Sequence, residues 1–79
     1  MIKNKILVTG AAGYIGGTFT YEVLKKGFEV HGIDNFINSD RSNIDTFLRD
    51  FPAVFSFSEI DIANELSKLK TVLDEFNPD

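Results

Sequence analysis

The residues best suited to chemistry are small ones that follow a short apolar run near the N-terminus. Gly10, Gly13 and Gly16 lie in the segment GAAGYIG, directly after the run Ile6–Val8. A pyrophosphate needs backbone N–H groups that point at it with no side chain in the way, and a helix N-terminus adds a favourable dipole. The spacing therefore predicts a sharp turn at Gly10, a close approach of backbone to phosphate at Gly13, and close helix packing at Gly16.

An acidic residue further along the chain extends this pattern. A glycine-rich turn alone can be an empty connection between a strand and a helix. Asp34, however, stands eighteen positions after Gly16, at the end of a second apolar run. A carboxylate about 20 residues after the glycines binds ribose hydroxyls and repels a 2′-phosphate. Because no Arg precedes position 41, we predict a dinucleotide cofactor, and NAD rather than NADP.

The elements that must position these groups follow from the apolar pattern. Apolar runs predict strands at 6–8, 28–33 and 54–60. Helical spacing of apolar residues follows each strand; Ser42 with Asp45 resembles a capping box for the second helix, and Asn64 suits the cap of the third. The order β-α-β-α-β-α predicts an α/β fold, namely the N-terminal portion of a Rossmann-like parallel sheet with strand order 3-2-1.

Composition narrows the classes of function. The chain has 79 residues, a net charge of −4, no cysteine and one histidine. We therefore expect no nucleic-acid partner, no disulfide and no metal site. The N-terminal apolar run is too short for a secretory signal, and no stretch has the length of a membrane span. We expect a cytoplasmic protein without a membrane partner.

Taken together, these motifs resemble the opening of the extended short-chain dehydrogenase/reductase family. The segment KILVTGAAGYIG at Lys5–Gly16 is similar to the glycine motif of that family. Asp34–Phe36 followed by Asn38 and Ser39 resembles UDP-glucose 4-epimerases and related NAD-dependent sugar-nucleotide epimerases. The dipeptide Asp61–Ile62 is similar to the family's adenine-contacting pair. The resemblance covers the whole chain but only the opening part of a family member.

The resemblance implies which residues contact the cofactor. Tyr14 and Ile15 would act through their backbone at the pyrophosphate, the loop after the second strand would wrap the adenosine, and Asp61 and Ile62 would meet the adenine edge. The predicted cofactor-binding residues are Gly10, Gly13, Tyr14, Ile15, Gly16, Asp34, Asn35, Phe36, Asn38, Ser39, Asp61 and Ile62. One departure is Ile60, which stands where the family usually has glycine.

The resemblance also implies an activity for the parent protein. In such epimerases, tightly held NAD takes a hydride from the sugar of a nucleotide-sugar and returns it to the other face. A related 4,6-dehydratase, decarboxylase or 2-epimerase is the alternative within the enzymes. A non-catalytic regulator that senses a dinucleotide is the alternative of another class.

The same resemblance implies that residues 1–79 are the N-terminal part of an NAD-binding domain, whose remainder and substrate-binding part lie beyond this chain. We therefore predict no catalytic residue here. The first strand would leave one edge open to another chain, so we also expect a homo-oligomer.

A pair of residues and a single histidine are of types that also occur in catalytic sites. Tyr21 and Lys25 have the Tyr-x-x-x-Lys spacing of the family's catalytic pair. That pair lies far downstream in the family, and residues at i and i+4 on one helix face need no catalytic explanation. His31 stands in mid-strand without an acidic neighbour in sequence. We interpret it as a packed or edge histidine rather than a general base.

Overall fold

A computed structural model describes residues 4–36 and 41–78. The elements in chain order are β1 (Lys5–Thr9), α1 (Tyr14–Lys25), β2 (Glu29–Asp34), α2 (Ser42–Asp50), β3 (Phe55–Glu59) and α3 (Leu66–Phe76). Strands and helices alternate throughout, which confirms the predicted fold class. Each predicted strand is present, and each of its observed bounds differs from the predicted one by one residue.

The three strands form one parallel sheet in the order β1-β2-β3. Val8 of β1 pairs with Gly32 of β2, and Gly32 pairs with Phe57 of β3. The predicted order 3-2-1 is the same sheet read from its other edge. Because the strands are parallel, their carboxyl ends meet along one side of the sheet, where the loops that follow them come together.

The hydrophobic core lies between the sheet and the pair α1 and α2. Val30, Ile44 and Leu24 are 0%, 0% and 3% exposed, and the rings of Phe47 and Phe55 meet edge to face at 5.4 Å. Complete burial of an aliphatic side chain of this size stabilises a fold by about 1.5–3 kcal/mol relative to exposure. This core fixes α1 against the sheet and thereby fixes the turn that precedes it.

The other face of the sheet carries His31 and α3. The two ring nitrogens of His31 lie 2.6 Å from the hydroxyl of Ser56 and 2.8 Å from that of Ser58. Its ring lies 5.5 Å from that of Phe76, and the Lys5 ammonium donates to the Phe76 carbonyl at 3.2 Å. The prediction of a packed histidine is confirmed, since its polar atoms are used within the fold.

Two predicted helix caps are wrong. Helix α2 begins at Ser42 itself, with Arg41 as the N-cap residue and no side-chain cap bond, so Ser42 and Asp45 form no capping box. Helix α3 begins at Leu66 with Glu65 as N-cap, one residue later than a cap at Asn64 requires. The Asn64 amide donates to the Asp61 carboxylate instead, at 2.7 Å.

Candidate cofactor site

A sharp turn connects β1 to α1. Gly10 has φ of 71°, a conformation that side chains with a Cβ adopt rarely. Its carbonyl accepts the Gly13 N–H at 3.0 Å. A Cβ built on Gly16 would lie 2.1 Å from that same carbonyl oxygen, so the helix packs too closely on the turn for any side chain. The sharp turn predicted at Gly10 and the close packing predicted at Gly16 are both present.

The turn leads into the first turn of α1 without a side-chain cap. Gly13 is the N-cap residue, and its carbonyl accepts the Gly17 N–H at 2.8 Å. This is the first hydrogen bond of the helix. The backbone N–H groups of Tyr14, Ile15 and Gly16 lie before it in the chain and have no acceptor within the helix. The side chains of Tyr14 and Ile15 are 88% and 81% exposed. The helix therefore presents donors and positive dipole at the end of β1.

Asp34 stands at the carboxyl end of β2, beside this turn. It is 9% exposed. Its Oδ2 accepts the Ala12 N–H at 2.9 Å, and its Oδ1 accepts the Phe36 N–H at 2.8 Å. An ionised carboxylate offers about four lone-pair positions, so each oxygen retains one for a further donor. The sequence pattern indicated an acid here, but not its bond to the glycine turn.

Asp61 lies in the loop after β3. Its carboxylate accepts the Asn64 amide at 2.7 Å and the Ala63 N–H at 3.0 Å, and it also bonds the side chain of Asn35. The bond from Asn64, and then that from Ala63, hold the pKa of Asp61 below its usual value. The Asn35 contact joins the loops that follow β2 and β3. Two residues predicted at the adenosine therefore lie in contact.

Phe36 follows Asn35 in a left-handed backbone conformation, with φ of 61°. Such a conformation costs a residue other than glycine about 1–3 kcal/mol and is frequent at ligand sites. The ring lies 5.4 Å from that of Phe57, and the Arg41 guanidinium lies 5.4 Å above it. Arg41 also pairs with Asp45 at 3.4 Å. The Phe36 side chain is thus anchored on the sheet, which leaves its backbone at the edge of the site.

A cleft of about 120 Å³ opens where the loops meet. Its lining residues are Thr9, Gly10, Ile33, Asp34, Asn35, Ile60 and Ile62. Pockets that hold a whole ligand usually measure about 300–1,000 Å³. This cleft, at the carboxyl ends of the strands, has room for one part of a dinucleotide.

The structure brings most of the predicted site residues to one end of the sheet. Asn38 and Ser39 were also predicted and lie outside the described residues. The sequence motifs do not include Thr9, Ile33 and Ile60, which also line the cleft, because an apolar or hydroxyl side chain at a strand end has no signature in sequence.

The residues with catalytic spacing do not line this cleft. The Lys25 ammonium lies 4.9 Å above the Tyr21 ring on α1, which is a cation–π pair on the helix surface. Across 4–36 and 41–78, no group of three His, Cys, Asp or Glu side chains could hold a metal ion. No helix in these same ranges is long and apolar enough to cross a membrane.

Comparison with known proteins gives consistent matches. The family model described as GDP-mannose 4,6 dehydratase matches residues 7–79. A UDP-glucose 4-epimerase of Klebsiella pneumoniae is 41% identical over 61 residues, which is 77% of this chain and 44% of that protein.

Solved structures match over almost the whole chain. The Bordetella bronchiseptica enzyme WbmH in complex with NAD+ is 30% identical with a TM-score of 0.83, over 98% of this chain and 24% of that one. The UDP-glucose-4-epimerase of Stenotrophomonas maltophila, with bound NAD and formylated UDP-arabinopyranose, is 31% identical with a TM-score of 0.80, over 99% of this chain and 23% of that one. The chain thus spans less than half of the first relative and about a quarter of each solved structure.

Proposed function

The chain belongs to the GDP-mannose 4,6 dehydratase family, within the extended short-chain dehydrogenase/reductases, and on that premise we propose that it is the NAD-binding segment of a nucleotide-sugar epimerase. In this proposal residues 1–79 are the N-terminal part of a Rossmann domain, and the substrate part belongs to the remainder of the parent protein. NAD, when bound, would supply hydride transfer. The residues of this chain would bind and orient its adenosine and pyrophosphate.

The observation that carries the proposal is the position of Asp34 beside the N-terminus of α1. The free N–H groups of Tyr14, Ile15 and Gly16 are donors suited to a pyrophosphate. A buried carboxylate next to them, with one free position on each oxygen, suits two ribose hydroxyls and opposes a 2′-phosphate. The N–H donors and the carboxylate acceptor together therefore fit NAD better than NADP.

The remaining predicted residues have supporting roles in the proposal. Asn35 and Asp61 would border the adenosine, and the Ile62 side chain would cover one face of the adenine in the cleft. Phe36 would act through its backbone, because its ring packs on Phe57. We assign Asn38 and Ser39 to the ribose on the resemblance alone.

The proposal is tested by protein-detected NMR titration of the ¹⁵N-labelled chain, a method suited to weak ligands. NAD should shift the amide signals of Gly10–Gly16 and Asp34. NADP should bind about 5- to 150-fold more weakly, since about 1–3 kcal/mol is lost when a buried polar group meets a poor partner. Asp34→Ala should weaken NAD by a similar factor. Equal or tighter binding of NADP by the unaltered chain would contradict the proposal.

Several activities of the parent protein are compatible with this segment. The epimerase is favoured by similarity to the Klebsiella pneumoniae relative and the Stenotrophomonas maltophila structure, both of which are UDP-glucose 4-epimerases. A dehydratase or decarboxylase would use the same cofactor segment, and a dinucleotide-sensing regulator would use it without catalysis. Turnover of a nucleotide-sugar by the parent protein separates the enzymes from the regulator.

We also propose a nucleotide-sugar as substrate and self-association as the assembly state.

A further inference from the structure

Asp34 holds together the loops that follow all three strands. Its Oδ2 accepts the Ala12 N–H of the glycine turn, and its Oδ1 accepts the Phe36 N–H of the loop after β2. Its backbone carbonyl accepts the Ile60 N–H after β3, at 3.1 Å. A single residue therefore connects the phosphate side of the cleft with its nucleoside side.

The bond to Ala12 is well placed to control the turn. Ala12 lies between Gly10, where the chain reverses, and Gly13, the N-cap residue of α1. It is 6% exposed, so water competes poorly for its N–H group. A hydrogen bond from a backbone N–H to a carboxylate is short and about twice as strong as one between neutral groups. Loss of the carboxylate would leave the Ala12 N–H buried without its acceptor and release the middle of the turn.

We propose that Asp34 is also a positioning residue for the phosphate-binding turn, and not only the ribose ligand of the proposed function on which this inference rests. Its carboxylate fixes the orientation of the N–H groups at the start of α1. Recognition of the ribose and of the pyrophosphate is thereby coupled through one side chain. A ligand that never touches Asp34 should still bind less well when the carboxylate is removed.

The sign of the effect distinguishes positioning from simple electrostatics. A carboxylate near a phosphate repels it, so removal of the charge alone should tighten the binding of an anion. Removal of a positioning group should weaken it. The suitable probe is 2′,3′-dideoxy-ADP, which keeps the adenine and both phosphates but lacks the ribose hydroxyls that Asp34 would bind.

The experiment compares ADP and 2′,3′-dideoxy-ADP on the 79-residue chain by NMR titration. Asp34→Ala should raise the Kd of the dideoxy ligand about tenfold. Asp34→Asn should give an intermediate rise, because its amide oxygen can accept only one of the two N–H groups well. The matched control is Asp50→Asn, which removes one exposed carboxylate at the end of α2, away from the cleft. It should leave the Kd unchanged or lower it.

The outcomes separate this inference from the proposed function. If Asp34→Ala weakens ADP but leaves the dideoxy ligand unchanged or tighter, Asp34 acts only on the ribose and the inference is overturned, while the proposed function stands. If the unaltered chain binds neither ligand at Gly10–Gly16, the proposed function fails first.

A measurement on the unaltered chain covers the case in which both variants lose their dispersed amide spectrum. In the unaltered chain, the Ala12 amide should exchange with solvent much more slowly than the amide of Ala53, an exposed alanine in the turn before β3. Equal exchange rates would overturn the inference.

Discussion

Gly16 shows at the scale of one residue how the backbone excludes a side chain. The nearest atom to an added Cβ would be the Gly10 carbonyl oxygen, which belongs to a turn fixed by two backbone hydrogen bonds. An added Cβ on the adjacent Gly17 would meet the Asn43 amide at 2.7 Å. That amide ends a flexible side chain and can move away. The two neighbouring glycines therefore differ in what a methyl group would displace.

Gly16→Ala should destabilise the chain by about 1–3 kcal/mol, the usual cost of overpacking, despite a gain of about 1 kcal/mol in helix propensity. Gly17→Ala has the same gain in propensity and only a side chain to displace, so it is the matched control. Its stability should lie within about 1 kcal/mol of the unaltered chain. Urea unfolding followed by circular dichroism measures both. A Gly16→Ala variant as stable as Gly17→Ala would contradict the close packing.

Gly13 gives the opposite expectation, because its φ of −76° and ψ of 172° are open to any residue. Gly13→Val should therefore fold, yet its side chain should fill the space that the pyrophosphate needs, so NAD binding should be lost. Calorimetric titration of the folded variant with NAD is the measurement. Unchanged affinity would mean that the glycine does not serve the phosphate.

Sequence reasoning was most successful for residues whose role depends on the backbone alone. Gly10 and Gly16 were predicted because a sharp turn and a close approach restrict residue type. Asp34 was predicted from its distance to the glycines, yet its bond to Ala12 was not. That bond depends on how β1 and β2 pair, and tertiary register has no local signature in the chain. The same limit applies to Ile60 in the cleft.

At the scale of elements, the apolar pattern was sufficient for strands and helices but not for the helix ends. Capping rules weigh residues next to each other in sequence. In α3 the start is set by a wider loop, in which the Asp61 N–H donates to the Glu65 carboxylate at 3.0 Å and Glu65 pairs with Lys68. These bonds compete with a cap at Asn64. Helix existence could thus be predicted, while its first residue could not.

The pairing of β2 with β3 leads to a prediction on pH. Burial lowers the pKa of His31 from its ordinary value of 6.5, so the folded chain binds this proton more weakly than the unfolded chain does. Stability contributed by neutral His31 is present above pH 6.5 and is lost as the pH falls through the lower folded value. His31 and Glu75 line one cavity between the sheet and α3, and Lys5 bonds Phe76 beside it.

The midpoint temperature of thermal unfolding should therefore decrease as the pH is lowered from about 7.5 to about 5.5. The ordinary pKa of a histidine side chain lies in this range. His31→Gln keeps a donor and an acceptor for the two serine hydroxyls but cannot titrate. Its midpoint should be nearly constant over that range. An equal fall in both proteins would assign the pH dependence to other groups.

At the scale of the whole molecule, the alternation of strands and helices was enough to predict the parallel sheet and its order. Right-handed crossovers allow few other arrangements of this element sequence. The unequal covering of the two faces was not predicted. Helices α1 and α2 bury a core on one face, whereas α3 has no buried residue on the other. The burial of an amphipathic helix depends on the surface of the protein against which it packs. The apolar pattern of the helix alone does not specify that surface.

The sheet leaves one edge of β1 open within 4–36 and 41–78, because β1 pairs only with β2 there. The Glu29 N–H donates to the Asn4 carbonyl, so by the alternation of a strand the Leu7 N–H points away from β2. An open edge of this kind is a template for pairing with another chain. We expect the 79-residue chain to self-associate through β1, in agreement with the proposed assembly state.

Leu7→Pro should reduce this association, because it removes an outward donor without breaking the ladder to β2, and proline is tolerated on such an edge. Leu7→Ala is the matched control, since it also loses the leucine side chain but keeps the N–H group. Size-exclusion chromatography with light scattering should give a lower mass for Leu7→Pro than for Leu7→Ala at the same concentration. A cooperative monomer at high concentration in the unaltered chain, with slow amide exchange at Leu7, would mean that the edge is protected by something other than a second copy.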